Sequence, residues 1–127
     1  MKVSVPLPWP SQDLSPNGRR SIFAKNSRFQ EAKTLAAMAC RKALREAGVE
    51  HVATDEKVRV RLVVTPPDRR RRDEDNLLAS CKAYLDGIAL GLGLDDCRFH
   101  FLEQEWMPAD KKIAAVEFSI AWSEKNE

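Results

Sequence analysis

Between residues 58 and 92 the apolar periodicity changes once, from two residues to about 3.6, and that change limits the chain to a fold that mixes sheet and helix. Val58, Val60, Leu62 and Val64 alternate with Arg59, Arg61 and Val63, which predicts a strand over 57–64 with one apolar face and a cationic start to the other. Pro66 and Pro67 end it, because proline cannot continue a strand ladder. Beyond them Leu77, Leu78, Cys81, Leu85, Ile88 and Leu92 share one face at about 100° per residue, which predicts a helix over 75–90 running on toward Gly91 and Gly93.

The flanks extend the pattern. Val3, Val5, Leu7 and Trp9 alternate with Ser4, Pro6 and Pro8, a strand over 2–9 that its prolines demote to a sheet edge or a strand end. Residues 10–20 are turn formers closing on Arg19 and Arg20, a loop able to carry phosphate contacts or simply a polar connection. From Ser27 a Ser-x-x-Gln pattern resembles a capping box and predicts a helix over 27–47 that stops at Gly48. Its stripe of Phe29, Ala32, Ala36, Ala39, Ala43 and Ala47 is small enough to pack close to a sheet. Residues 98–106 and 113–122 read as two strands of a terminal β-hairpin. The expected architecture is α+β: a single domain over 1–127, with a mixed sheet and two main helices packed against it. Each helix has one apolar stripe and needs a sheet face to bury it. At 127 residues and 43% hydrophobic, the chain suits one core rather than two.

Charge and cysteine content exclude several classes. The net charge of +2 is mild, so a nucleic-acid role must rest on local arrangement. Lys57, Arg59, Arg61 and Arg69 to Arg72 supply that arrangement, with Asp68 the only acid between Lys57 and Asp73. Cys40, Cys81 and Cys97 are odd in number and lack CxxC spacing, which argues against a disulfide framework or a zinc knuckle and for a reducing compartment. The two histidines, His51 and His100, are too far apart to suggest a local ligand pair. The N-terminal MKVSVPLPWP is short and broken by proline, no run reaches transmembrane length, and a cytoplasmic protein without membrane partners is expected.

The chemistry concentrates in residues 66–76, Pro-Pro-Asp-Arg-Arg-Arg-Arg-Asp-Glu-Asp-Asn. Arginine forks suit phosphate oxygens, and closely spaced carboxylates supply the hard oxygen donors that Mg²⁺ prefers. Each half also has a plainer reading. An arginine run can be a solvated segment, and Asp-Glu-Asp before a helix can be capping and dipole compensation. Further along, Asp75, Lys82 and Asp86 form a second stripe at the edge of the apolar face, so Asp75 and Lys82 look toward the same place.

Leu7-Pro8-Trp9-Pro10, the run from Pro67 to Leu77, and Leu94-Asp95-Asp96 resemble, in order and approximate spacing, the RusA-type Holliday junction resolvases of bacteria and prophages. The resemblance implies a homodimeric Mg²⁺-dependent crossover junction endodeoxyribonuclease of recombination and repair, with Mn²⁺ as a substitute metal. Such an enzyme nicks two opposed strands of a four-way DNA junction symmetrically. It also implies that Asp73, Asp75 and Asp96 are metal-binding catalytic carboxylates. The family lysine one turn past the second aspartate is replaced here by Ala79, and Lys82, one further turn along, is assigned its role. Arg69, Arg70, Arg71 and Arg72, with Arg19 and Arg20, are the expected DNA contacts. The alternatives are a nuclease for other branched DNA and a non-catalytic nucleic-acid-binding module.

Overall fold

The computed structural model describes residues 1–11, 14 and 22–124, so Arg19 and Arg20 lie outside the described residues. Strand β1 (Lys2–Pro8) is followed by helix α1 (Ile22–Glu46) and strand β2 (Val58–Thr65). Helices α2 (Glu74–Ser80) and α3 (Lys82–Leu92) come next, then a 3₁₀ turn (Asp96–Arg98) and strands β3 (Phe99–Phe101), β4 (Glu105–Trp106) and β5 (Ala115–Ala121). The fold is α+β, one small domain around a mixed sheet.

The sheet order is β1-β5-β2-β3, with β4 also on β2. β5 runs antiparallel to both β1 and β2, whereas β3 and β4 run parallel to β2. The terminal hairpin expected from sequence is therefore absent. The segment 98–106 and the last strand are separated by β2, and 98–106 forms two short strands instead of one. Polarity explains the arrangement. β2 and β5 bury Val58, Val60, Leu62, Val64, Val116, Phe118 and Ile120 at no more than 1% exposure, and two such strands stabilise the sheet most when side by side at its centre. The proline-bearing β1 and the Glu-Gln-Glu-interrupted 98–106 segment are left for the edges. The connection from β4 to β5 closes over the end of β2, where the Met107 and Asp110 amides donate to the Val64 and Pro66 carbonyls at 2.7 and 2.9 Å.

α1 begins at Ile22, five positions before the Ser27 start that the sequence predicts, so Ser27 lies inside the helix and caps nothing. It ends as expected: Gly48 is left-handed at φ 73°, its amide bonds to Arg45, and the Val49 amide reaches back to Leu44 at 2.8 Å. Its buried residues are Ala32, Ala36, Ala37, Cys40 and Leu44, and Ala47 is exposed. This small face lies chiefly against α3, and only secondarily against β1. The reason is on α3, where Gly87 faces Ala36 and the Lys33 carbonyl and Gly91 faces Cys40, so the two backbones approach without side chains between them.

The single helix expected over 75–90 is interrupted at Cys81, whose φ and ψ are −93° and 5°. The interruption is slight. The Cys81 amide bonds to Leu77 and Leu78, the Leu85 amide bonds to Cys81, and the faces of α2 and α3 stay in phase. Cys40 and Cys81 are buried core residues, as expected. Their thiols are pushed up by burial to about 11 and about 12 respectively. Tyr84, packed edge-on against Phe118, donates its hydroxyl to the Pro8 carbonyl at 2.9 Å and ties α3 to the end of β1. Among the described residues no helix is long and apolar enough to cross a membrane.

Candidate active site

The loop from β2 to α2 is organised by Asp68. Its carboxylate accepts the Arg70 amide at 2.9 Å and the Arg72 guanidinium at 2.8 Å, and both hold it below the usual carboxylate range, the backbone donor foremost. Arg72 also donates to the carbonyls of Asp68 and Arg70, and its guanidinium lies 5.2 Å from the centre of the Trp9 ring. Its side chain is only 18% exposed. The four arginines are thus not equivalent. Arg72 braces the loop against β1, while Arg69, Arg70 and Arg71 are exposed.

Asp73 and Asp75 line different hollows. Asp73 is the N-cap of α2, its Oδ1 accepting the Asp75 amide at 2.8 Å, which is the capping role that the sequence left open. It lines a hollow of about 170 Å³ on the Trp9 side of the loop. Asp75 lines a different one. That second hollow, about 350 Å³, runs along α2 and α3 and is walled by Asp75, Ala79, Lys82, Asp86, Asp96 and the rings of Phe99 and Phe101. Asp75, Ala79, Lys82 and Asp86 recur at spacings of four, three and four, so the in-phase helices present them as one stripe. Lys82 Nζ is 3.4 Å from Asp86 Oδ1. Glu74 is exposed, and its carbonyl accepts from Gln104 Nε2, while Gln104 Oε1 accepts from the Trp106 indole N–H.

The aspartate pair after α3 divides its work. Asp95 accepts the Cys97 amide at 3.0 Å and caps the 3₁₀ turn, and that bond holds its carboxyl below the ordinary range. Asp96 is the member that reaches the hollow. The hollow thus brings together Asp75, Lys82 and Asp96, with Asp86 as a fourth polar residue that the sequence placed in the stripe but gave no role.

Mg²⁺ binds its ligands at roughly 2.0–2.1 Å, so an ion held jointly by several carboxylates needs them gathered closely. Among the described residues no group of three or more potential ligands is gathered. What does fit is attachment through one or two carboxylates, with water and substrate phosphates completing the shell.

No family model matches the chain. It is 40% identical over 98 residues to an uncharacterized protein of Xylella fastidiosa, an alignment covering 76% of this chain and 61% of that protein. The chain therefore spans less than two thirds of that relative. A solved cyanuric acid hydrolase from A. caulinodans is similar with TM-score 0.42 and 17% identity, over 94% of this chain and 37% of that one, a likeness too slight to bear on function.

Proposed function

We propose that the chain is a Mg²⁺-dependent endonuclease for branched DNA of the RusA type, acting in the cytoplasm as a homodimer on four-way junctions. The observation that carries this reading is the hollow that aligns Asp75, Lys82 and Asp96, with the exposed Arg69, Arg70 and Arg71 on the loop leading into it. The arginines bind phosphates on either side of the cut. Lys82 offsets negative charge at the scissile phosphate, and a carboxylate on the stripe orients the attacking water and accepts its proton. Asp75, Asp86 and Asp96 are the residues that would hold Mg²⁺ or Mn²⁺, singly or in twos. A bound ion supplies charge relief and acidifies water. A junction presents two opposed strands, and a two-fold dimer supplies two sites from one gene product.

A second reading has its own support. Asp73 is a helix cap and Arg72 a loop brace, which is what a non-catalytic nucleic-acid-binding module would retain. Incubating the protein with a synthetic four-way junction, a flap and a linear duplex, with Mg²⁺ or with EDTA, separates the readings. Paired nicks in the junction that need Mg²⁺ support the resolvase. Preferred cutting of the flap supports a nuclease for other branched DNA, and metal-independent binding without cleavage supports the module.

A further inference from the structure

The hollow of about 170 Å³ on the other side of the loop shares only Arg70 with the chemistry above. Its walls include Trp9, Arg70, Arg72, Asp73, Asn76 and Ser80. Two of these are planar groups already in contact, the Arg72 guanidinium lying over the Trp9 indole 5.2 Å from its centre. Arg72 is fixed by three hydrogen bonds to its own loop, so the plane stands ready before any ligand arrives. A rigid flat wall beside a basic loop is the arrangement on which proteins stack unpaired bases, whose π-faces every sequence offers. Asp73 and Asn76 add polar groups. Asp73 spends one oxygen on the Asp75 amide and keeps the other for a ligand, while the Asn76 amide offers both donor and acceptor. Arg70, exposed at the rim, suits the phosphate attached to that base.

We propose that this hollow receives one unpaired nucleobase of a DNA strand, stacked against the Trp9–Arg72 pair. Asp73, as the cap of α2, stands between this hollow and Asp75, so a seated base sets the register of the backbone that runs on toward the Asp75–Asp96 stripe. The inference rests on the branched-DNA reading for its biological meaning, because bases at a branch point unstack at least cost.

The probe is a short single-stranded oligothymidylate, titrated while tryptophan fluorescence is read, with wild type compared with Trp9→Leu and Ser80→Gln. Trp9→Leu keeps an apolar side chain but removes the ring. Ser80→Gln leaves the ring intact and fills the hollow; among the described residues Ser80 Oγ bonds only to the Asn76 carbonyl of its own helix, so the fold is little disturbed. The expected result is quenching in wild type, with affinity weakened about 5- to 150-fold in both variants, the range spanned by removal of one base–aromatic stack. Quenching and affinity unchanged in Ser80→Gln overturn the inference, whatever Trp9→Leu does to folding. A parallel titration with a four-way junction keeps the two claims apart. Junction binding with no signal dependent on these residues overturns the base pocket alone, and absence of binding to either DNA overturns both.

Discussion

Replacing Arg69, Arg70 and Arg71 together by alanine tests whether the exposed part of the arginine run is what holds DNA. Each phosphate neutralised by a cationic side chain adds roughly 0.9 to the steepness of log affinity against log salt on duplex DNA, so three arginines account for about 2.7. A fourfold rise in salt, from 50 to 200 mM, should therefore cost wild type about 40-fold more affinity than the triple variant. Arg72→Ala behaves differently, because its guanidinium is committed to Asp68, two carbonyls and the Trp9 ring. It should weaken binding at every salt concentration by disordering the loop, with the slope left as in wild type. Fluorescence anisotropy with a labelled junction at five or six salt concentrations reads both quantities. The reasoning fails if the four arginines contribute equally to the slope, or if the triple variant retains the wild-type slope.

Two further substitutions or treatments test the scaffold. Gly87→Ala in an open helix would stabilise by about 1 kcal/mol, but here the new methyl meets the Lys33 carbonyl oxygen and stands 2.8 Å from the Ala36 Cβ. Overpacking of roughly 3 kcal/mol outweighs that gain, for a net destabilisation of about 2 kcal/mol, or a melting temperature lower by roughly 6–10 °C. A higher melting temperature would contradict the α1–α3 contact. A thiol reagent at pH 8 should label one cysteine of the native protein, the exposed Cys97, and three after denaturation, because Cys40 and Cys81 are buried with thiols pushed up to about 11 and about 12. Rapid labelling of two or three in the native state would contradict the core described above.

Periodicity revealed which residues are buried, and most of the core was legible on that basis. Val58 to Val64, Val3 to Leu7 and the stripe from Leu77 to Leu92 sit where their spacing places them. Periodicity does not say which neighbour covers a face. The alanine stripe of α1 was compatible with a sheet, and only the placement of Gly87 and Gly91 opposite it shows that a helix covers it. The hairpin expectation failed for a related reason: adjacency in sequence favours local pairing, while burial of β2 and β5 together at the sheet centre favours the non-local one. At the site, Asp75 and Lys82 were legible because helical spacing gives them a common direction, whereas Asp96 was singled out by the family resemblance alone and its difference from Asp95 emerges only in the structure. The difference between Arg72 and its neighbours was not, since it depends on Trp9, brought beside the loop only by the tertiary fold. Likewise the aspartates before the helix could cap it or bind metal, and only the structure shows Asp73 accepting the Asp75 amide as a cap.

The most direct test of the central claim is Mg²⁺-dependent junction cleavage and binding measured side by side for Asp96→Asn and Asp95→Asn. Asp96 lines the hollow with Asp75 and Lys82, whereas Asp95 spends its carboxylate on the Cys97 amide. Both variants keep a side-chain oxygen able to accept a hydrogen bond, so the turn should survive in each. The account predicts that Asp96→Asn binds the junction as tightly as wild type or more so and does not cut it, while Asp95→Asn still cuts. Full Mg²⁺-dependent cleavage by purified Asp96→Asn, free of host nuclease, would contradict it.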